Sequence, residues 1–318
     1  MPRLTLHAYA KVNLALSVGP AIPDGPDAGP DAGMHPISTF MSCVDVYDTI
    51  EIERTAEGAD APSEARVEVV GEGMQINWLV ANDLTLRAVR LMEQEAGTNL
   101  PVSITVRKRI PAGGGLGGGS ADAAAVIRGI DALFEMNLGQ DKLRAIAAEL
   151  GSDIPFFIDD GSEPTNEGTT ETIEPGGAAR PGVVDELGRR IRRVERSQAE
   201  LILICPPFGC PTAEVYRAFD DAPTRGLRAG MVEETAKLKT INNSYLFNEL
   251  EDAAFRVRPE LKDLHASIRE VLGGVHVHVS GSGSTLFVVG GGDEGIEART
   301  KAIQDAAVDT RVIMTTLI

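Results

Sequence analysis

The sequence predicts an α+β protein in which helices and strands are mixed without the regular alternation of a doubly wound sheet. Three observations support this class: apolar residues alternate with period two in several segments, they recur with helical spacing in others, and two glycine-rich turns interrupt these patterns. The chain has 318 residues, of which 43% are hydrophobic. This is enough to bury one large core or two moderate ones, so we expect a globular protein.

The N-terminal third is predicted to form a sheet. Residues 4–18 mix apolar and small side chains and indicate a strand that is followed by a second strand or a loop. Residues 43–54 and 65–70 alternate between apolar and polar, as half-buried strands do. Residues 20–33 combine proline, glycine and aspartate, which favour turns, and therefore predict an exposed loop.

The middle of the chain predicts helices on either side of a strand. The first helix has Asn82 as its N-cap and stops at Gly97. Residues 102–106 alternate as a strand, and a glycine-rich turn then opens at Pro111. The turn leads into a second helix, and residues 141–150 predict a third, shorter one. The apolar face of the second helix consists of Ala123, Val126, Ile127, Ile130, Leu133 and Phe134.

The last third is predicted to contain four strands and two helices, with a second glycine turn between two of the strands. In chain order these are strand 201–204, helix 244–256, strands 275–279 and 285–289, helix 294–307 and strand 310–316. The polar residues 162–197 show no clear pattern. We therefore divide the chain into an N-terminal domain (1–175), a connecting insertion (176–199) and a C-terminal domain (200–318).

The composition disfavours several classes of protein. Asp and Glu outnumber Lys and Arg by 47 to 30, which gives a net charge of −17 and makes a nucleic-acid partner unexpected. No apolar run approaches the ~20 residues that cross a bilayer, so we expect no membrane partner and a cytoplasmic location. The three cysteines form no CxxC pair, which disfavours a disulfide framework and structural zinc.

The segment from Pro111 to Asp122, PAGGGLGGGSAD, is the outstanding motif. Glycine costs about 0.5–1 kcal/mol wherever regular structure could use alanine, so this density predicts a backbone that closely approaches something. Backbone amides in such a turn, next to a helix N-terminus, form a cradle for phosphate. The alternative is a flexible linker or a tight turn, and neither a Walker A nor a Rossmann spacing is present. The predicted phosphate-binding residues are Pro111, Gly113, Gly114, Gly115, Leu116, Gly117, Gly118, Gly119 and Ser120.

Three segments together resemble the ordered motifs of the GHMP kinase superfamily: AYAKVNLAL at 8–16, the glycine motif at 111–122, and VSGSGS at 279–284. Within it, AKVNL, PxGGGLGGGSxDAAA and GSDIPFF are most similar to the branch that phosphorylates a cytidine diphosphate-linked methylerythritol. The resemblance covers most of the chain and implies a two-domain fold. Its N-terminal domain would be like domain 2 of ribosomal protein S5, and its C-terminal domain an α+β sandwich.

The resemblance implies an ATP-dependent kinase that, with Mg²⁺, phosphorylates the 2-hydroxyl of the methylerythritol in non-mevalonate isoprenoid precursor biosynthesis. Asp153 would accept the hydroxyl proton and Lys11 would orient the pair. Asn13, His35 and Asp153 would contact the substrate, His35 at the cytosine. No side chain is assigned as a metal ligand. Taken singly, these residues also fit a helix N-cap (Asp153), a surface lysine (Lys11) and a loop histidine (His35).

Other predictions about partners and function stay open beside this one. Met34 occupies a position where the resembling enzymes usually carry an aromatic residue. A kinase of homoserine, mevalonate or a sugar is the nearest alternative, and a catalytically silent nucleotide-binding relative is another. The partner is expected to be a small molecule, and the protein a monomer or a homodimer. The candidates for the positive charge that would attract an anionic substrate are Lys11, Arg107, Lys108, Arg109 and the backbone amides of the glycine loop.

Overall fold

The computed structural model describes residues 3–23, 29, 31–55, 64–69, 83–159, 177–222, 226–290 and 295–318. The chain folds as two compact units, each built from segments that are distant in sequence. The first unit comprises Met1–Ala10, Val46–Ile110 and Gly117–Arg180. The second comprises Lys11–Asp45, Pro111–Leu116 and Pro181–Ile318.

The described residues contain eleven strands and eight α-helices, which confirms the predicted α+β class. The strands are β1 (Arg3–Val18), β2 (Ile37–Arg54), β3 (Glu64–Val69), β4 (Val102–Lys108), β5 (Gly182–Glu186), β6 (Arg190–Arg193), β7 (Glu200–Cys205), β8 (Phe247–Asn248), β9 (His278–Val279), β10 (Leu286–Val289) and β11 (Arg311–Thr316). The helices are α1 (Leu84–Ala96), α2 (Gly118–Leu133), α3 (Gln140–Leu150), α4 (Thr212–Asp220), α5 (Ala229–Ala236), α6 (Glu251–Val257), α7 (Pro259–Val271) and α8 (Gly295–Ala306), with short 3₁₀ helices at Ile154–Phe157 and Asn243–Tyr245.

The first unit packs helices on a sheet with the order β3-β4-β2. β4 runs antiparallel to β2 and parallel to β3. The buried face of α2 is rich in alanine, and a Cβ atom at Gly129 would lie 2.5 Å from Ile52 Cδ1 and 3.1 Å from Leu6 Cδ1. Small residues therefore let α2 approach the sheet closely.

Helix α1 begins one residue later than the sequence predicted. Asp83 is its N-cap, because the Asp83 carboxylate accepts a 2.8 Å hydrogen bond from the backbone N–H of Thr85. Asn82, the predicted N-cap, lies outside the described residues. Gly97 ends the helix in the left-handed conformation, with a φ of 66°, as predicted.

The second unit contains the antiparallel sheet β11-β7-β10-β9. Helices α4, α6, α7 and α8 cover this sheet through a core that includes Ile202, Ile204, Leu261, Ile268 and Ile303. In the same unit β5 pairs with residues 37–41 of β2 and with β6, and β8 pairs in parallel with Ala15 and Leu16 of β1.

Two elements differ from their predictions. The predicted helix 244–256 is wrong in its first half, because residues 247–248 pair with β1 and α6 begins only at Glu251. The predicted strand 275–279 is shortened to β9. The described part of residues 176–199 contains the paired strands β5 and β6, while the division of the chain at 175 and 200 stays a prediction.

None of the helices in the described part of the chain combines the length and the apolarity that crossing a membrane requires. The cytoplasmic location and the monomeric or dimeric state stay predictions.

Candidate active site

Lys11 lies in the middle of β1 and is bound to the glycine loop of the second unit. Its side chain is buried, and its Nζ donates to Asn13 Oδ1 at 2.6 Å and to the Gly115 carbonyl at 3.0 Å. Its backbone N–H donates to the Leu116 carbonyl at 2.9 Å. Lys11 is therefore not a solvated surface lysine. The Asn13 amide and the Gly115 carbonyl are both neutral, and these two bonds orient the ammonium beside the glycine loop.

Asn13 is fixed from three directions. Its Oδ1 accepts from Lys11, and its Nδ2 donates to Thr39 Oγ1 at 2.9 Å. Thr39 Oγ1 in turn donates to the Ala15 carbonyl, and the backbone N–H of Asn13 donates to Ser280 Oγ at 3.3 Å. The structure thus brings two predicted site residues, Lys11 and Asn13, together with both glycine turns.

The loop at 111–116 packs directly on the turn at 280–285. The Thr285 N–H donates to the Gly114 carbonyl at 3.0 Å. A Cβ atom at Gly115 would lie 2.2 Å from the Ser280 carbonyl, and one at Gly114 would lie 2.5 Å from Thr285 Oγ1. At these two positions glycine is required by the chain's own packing. Gly113, by contrast, is exposed and has a φ of 71°. Among the described residues, only the Gly209 Cα, at 3.8 Å, lies near the place of its missing Cβ.

Gly115→Ala should lower the free energy of unfolding by roughly 2–4 kcal/mol, because the new methyl meets a backbone carbonyl and the residue has a φ of +76°. Urea denaturation measures this. Gly119→Ala is the matched control, because its nearest neighbour would be Leu84 Cδ1 at 3.5 Å and its φ is not in the left-handed region. Equal stability of the two variants would contradict the packing described here.

The second glycine turn is held by side chains from two other segments of the second unit. Asn248 Nδ2 donates to the carbonyls of Val279 and Gly281, at 2.8 and 2.7 Å. Thr212 Oγ1 lies 3.0 Å from Ser282 Oγ. Asn248 therefore fixes the turn that contacts Lys11 and Asn13. Its pairing in β8 next to β1 explains why it reaches this place.

In the first unit, the N-terminus of α2 has no side-chain cap. Gly117 is the N-cap, with a φ of 69°, and it supplies no side-chain hydrogen bond to the first turn. The first turn of α2 contains no acidic residue. Its amides and the positive end of the helix dipole therefore favour an anion at Gly118, Gly119 and Ser120.

Asp153 belongs to the first unit and precedes the 3₁₀ helix Ile154–Phe157. It occupies the N-cap position, but its half-buried side chain makes no capping hydrogen bond. The backbone just after this helix is held by arginines. Arg144 Nε donates to the Ile158 carbonyl at 3.1 Å, and an Arg128 guanidinium N–H donates to the Asp159 carbonyl at 2.6 Å. The segment is therefore fixed without using the Asp153 carboxylate as a cap.

His35 is buried in the second unit with both ring nitrogens engaged. Its Nδ1 lies 2.9 Å from the Gly19 carbonyl, so Nδ1 carries a hydrogen, and its Nε2 lies 3.4 Å from Asp220 Oδ2. The ring centroid is 5.1 Å from that of Tyr216. The preceding Met34 is 41% exposed. These contacts hold His35 in one orientation, and its contact with cytosine stays a prediction.

The structure corrects one candidate for the positive charge that would attract an anionic substrate. Lys108 is buried between Asp48 and Asp122, to which its Nζ donates at 2.5 and 2.6 Å, so its charge is neutralised within the first unit. Arg107 pairs with Glu51 at 2.5 Å, and the Arg109 guanidinium lies 5.5 Å from the centre of the Tyr47 ring.

Comparison with known proteins agrees with this geometry. Residues 83–161 match the model of the GHMP kinases N terminal domain. A 4-diphosphocytidyl-2-C-methyl-D-erythritol kinase of Corynebacterium glutamicum is 31% identical over 96% of this chain and 90% of its own length. The corresponding kinase of Desulfitobacterium hafniense is 30% identical over 90% of this chain and 86% of its own length. The chain belongs to the 4-diphosphocytidyl-2-C-methyl-D-erythritol kinase family.

Solved structures confirm the GHMP kinase fold. A crystal structure of 4-(cytidine 5'-diphospho)-2C-methyl-D-erythritol kinase has a TM-score of 0.69, with 28% identity over 99% of each chain. A homoserine kinase from Cytophaga hutchinsonii has a TM-score of 0.64 with 15% identity, over 100% of this chain and 95% of its own, and shows the shared fold alone. Membership of the 4-diphosphocytidyl-2-C-methyl-D-erythritol kinase family therefore rests on the first structure and the sequence relatives.

Proposed function

We propose that the protein transfers the γ-phosphoryl group of ATP to the 2-hydroxyl of 4-diphosphocytidyl-2-C-methyl-D-erythritol. The observation that carries this proposal is the buried Lys11 ammonium, which neutral groups of Asn13 and Gly115 hold against the glycine loop. Phosphoryl transfer passes through a loose transition state, so it needs positioning and charge stabilisation more than covalent chemistry by the protein. A fixed cation beside a glycine loop suits that need.

The residues of the glycine motif fit a nucleoside triphosphate. The exposed Gly113 has room at its α-carbon, and the first turn of α2 has no side-chain cap and no acidic residue. We propose that these amides, from Gly113 through Ser120, bind the phosphates, with Pro111 and Leu116 shaping the loop. Leu116 is buried, as a shaping role requires.

Mg²⁺ is proposed to arrive with the triphosphate and to neutralise part of its charge. Among the residues that the structure describes, no three His, Cys, Asp or Glu side chains converge on a site for a metal ion. We derive no step through the ion.

Asp153 is proposed to accept the proton of the substrate hydroxyl, and Lys11 to orient the reacting groups. Asp153 fits because its carboxylate is not used as a helix cap while the backbone after it is held by Arg128 and Arg144. A general base must be held firmly within hydrogen-bond reach of the hydroxyl. Asn13 and His35 are proposed to contact the alcohol and the cytosine, because both are buried polar side chains with fixed orientations.

The proposal is tested by ADP release from Mg-ATP with four acceptors: 4-diphosphocytidyl-2-C-methyl-D-erythritol, homoserine, mevalonate and galactose. We expect turnover of the first acceptor, with kcat/KM at least ~10²-fold above that of the others. Turnover of a different alcohol would move the function to another GHMP kinase. Binding of ATP without turnover of any acceptor would favour a catalytically silent relative.

A further inference from the structure

A buried charged cluster in the first unit joins three elements. It consists of Asp48 from β2, Lys108 from the end of β4 and Asp122 from α2. The Lys108 Nζ donates to Asp48 Oδ2 at 2.5 Å and to Asp122 Oδ2 at 2.6 Å, and all three side chains are at most 6% exposed. Burying charges is costly unless they are paired, so a cluster with two carboxylates and one ammonium requires a specific reason.

One side of the cluster holds the backbone that leads into the glycine loop. Asp48 Oδ1 accepts hydrogen bonds from the backbone N–H groups of Arg109 and Ile110, the latter at 2.9 Å. These are the two residues immediately before Pro111. Asp48 therefore uses one oxygen for this backbone and the other for Lys108.

The other side of the cluster holds the residues that follow the loop. Asp122 lies in α2, four residues after its first residue, Gly118. A Cβ atom at Gly118 would lie 2.9 Å from Ile110 Cγ2 and 3.4 Å from Lys108 Nζ. The absence of a side chain at Gly118 thus lets the start of α2 lie against Ile110 and Lys108. The residues on both sides of the segment 111–117 are thus linked to the Lys108 ammonium, through Asp48 before the segment and through Asp122 after it.

The ammonium remains charged in this setting. The two carboxylates keep the pKa of Lys108 above its ordinary value in spite of burial, which acts in the opposite direction. Burial raises the pKa of Asp122 to about 7, and the nearby Asp48 carboxylate also raises this pKa, whereas the Lys108 ammonium lowers it. Asp122 Oδ1 has no hydrogen-bond partner among the described residues. The hydrogen bond from Lys108 goes to the other oxygen of this carboxylate, Oδ2.

We propose that Lys108 is a positioning residue, which ties the strand entering the glycine loop to the helix leaving it and so sets the loop for nucleotide binding. This inference rests on the proposed function, because it takes a nucleoside triphosphate as the ligand of the loop. Lys108 does not touch the nucleotide; it acts through the separation of Ile110 and Gly118. A loop whose ends are fixed loses less conformational freedom when it binds.

The test compares two substitutions at the exit side of the cluster. Asp122→Asn keeps an oxygen that accepts from Lys108, whereas Asp122→Leu has similar size and removes that acceptor. Dissociation constants are measured by calorimetry for the Mg²⁺ complex of a non-hydrolysable ATP analogue, and separately for 4-diphosphocytidyl-2-C-methyl-D-erythritol. We expect Asp122→Leu to weaken analogue binding about tenfold or more and Asp122→Asn by less than about threefold, with binding of the alcohol changed by less than about twofold in both.

Each result decides the proposal. Wild-type affinity for the analogue in Asp122→Leu, or equal weakening of both ligands, would overturn the positioning role and leave the proposed function standing. Failure of the wild-type protein to bind the analogue would overturn both. If Asp122→Leu does not fold by circular dichroism, Asp122→Ser removes the same hydrogen bond without adding an apolar group, and the same expectations apply to it.

Discussion

Replacing Lys11 by methionine should lower kcat by ~10²–10³-fold while changing the KM for ATP by less than about fivefold. The ammonium is fixed by Asn13 Oδ1 and the Gly115 carbonyl, so its position is set before the substrates bind. Charge stabilisation that is already in place acts mainly on the transition state, where charge on the transferred group is redistributed. Steady-state kinetics with both substrates varied separates kcat from the two KM values.

Lys237→Met is the matched control, because it removes a lysine of the same unit whose side chain is 66% exposed and pairs with Glu234. It should leave kcat within about twofold. Retention of kcat within about threefold in Lys11→Met, in a protein with wild-type thermal stability, would show that Lys11 only supports the loop.

Asp153→Asn should lower kcat by about 10²-fold or more with the KM for both substrates within about threefold. Asparagine has nearly the same size as aspartate but cannot accept the hydroxyl proton. The Asp153 side chain makes no capping hydrogen bond to the 3₁₀ helix, so the substitution removes no helix cap. Single-turnover kinetics identifies whether the loss is in the chemical step.

Asp141→Asn provides the comparison for this variant. Asp141 lies in the same unit, in the first turn of α3, and its side chain is fully exposed. It should retain wild-type kcat within about twofold. A kcat of Asp153→Asn no lower than that of Asp141→Asn would remove Asp153 from the reaction.

The position of the glycine loop could be predicted from the sequence, but the reason for two of its glycines could not. Six glycines before an apolar helical pattern are a local signal, and α2 begins where this signal ends. Gly114 and Gly115 are instead required by contact with Ser280 and Thr285, which are distant in sequence. Local patterns predict that glycine is needed without showing which neighbour requires it.

The error over residues 244–256 has a related cause. The helical pattern there is correct from Glu251 onward, but Phe247 and Asn248 are drawn into pairing with β1, and Asn248 Oδ1 then accepts from the Leu250 N–H. Pairing with a strand more than 200 residues earlier overrides the local preference for a helix. The sequence of the ten or so residues around Asn248 does not identify such a distant pairing partner.

The charged cluster was missed, although the sequence contained a signal for it. In β2, Asp48 is separated by an even number of positions from the buried Ile50 and Ile52. In β4, Lys108 is likewise separated by an even number of positions from the buried Ile104 and Val106. Period-two alternation therefore places both charges on the buried faces of their strands. Lys108 was instead interpreted as part of the positive charge that would attract an anionic substrate, because the charge of a residue does not show which groups it pairs with.

Identification of the product tests the central claim most directly. The wild-type protein is incubated with Mg-ATP and 4-diphosphocytidyl-2-C-methyl-D-erythritol, and the products are analysed by ³¹P and ¹H–¹³C NMR. We expect equimolar ADP and a single new phosphate monoester on the 2-hydroxyl, with neither formed by Asp153→Asn over the same time. Release of inorganic phosphate without a new ester, or an ester on another hydroxyl, would contradict it.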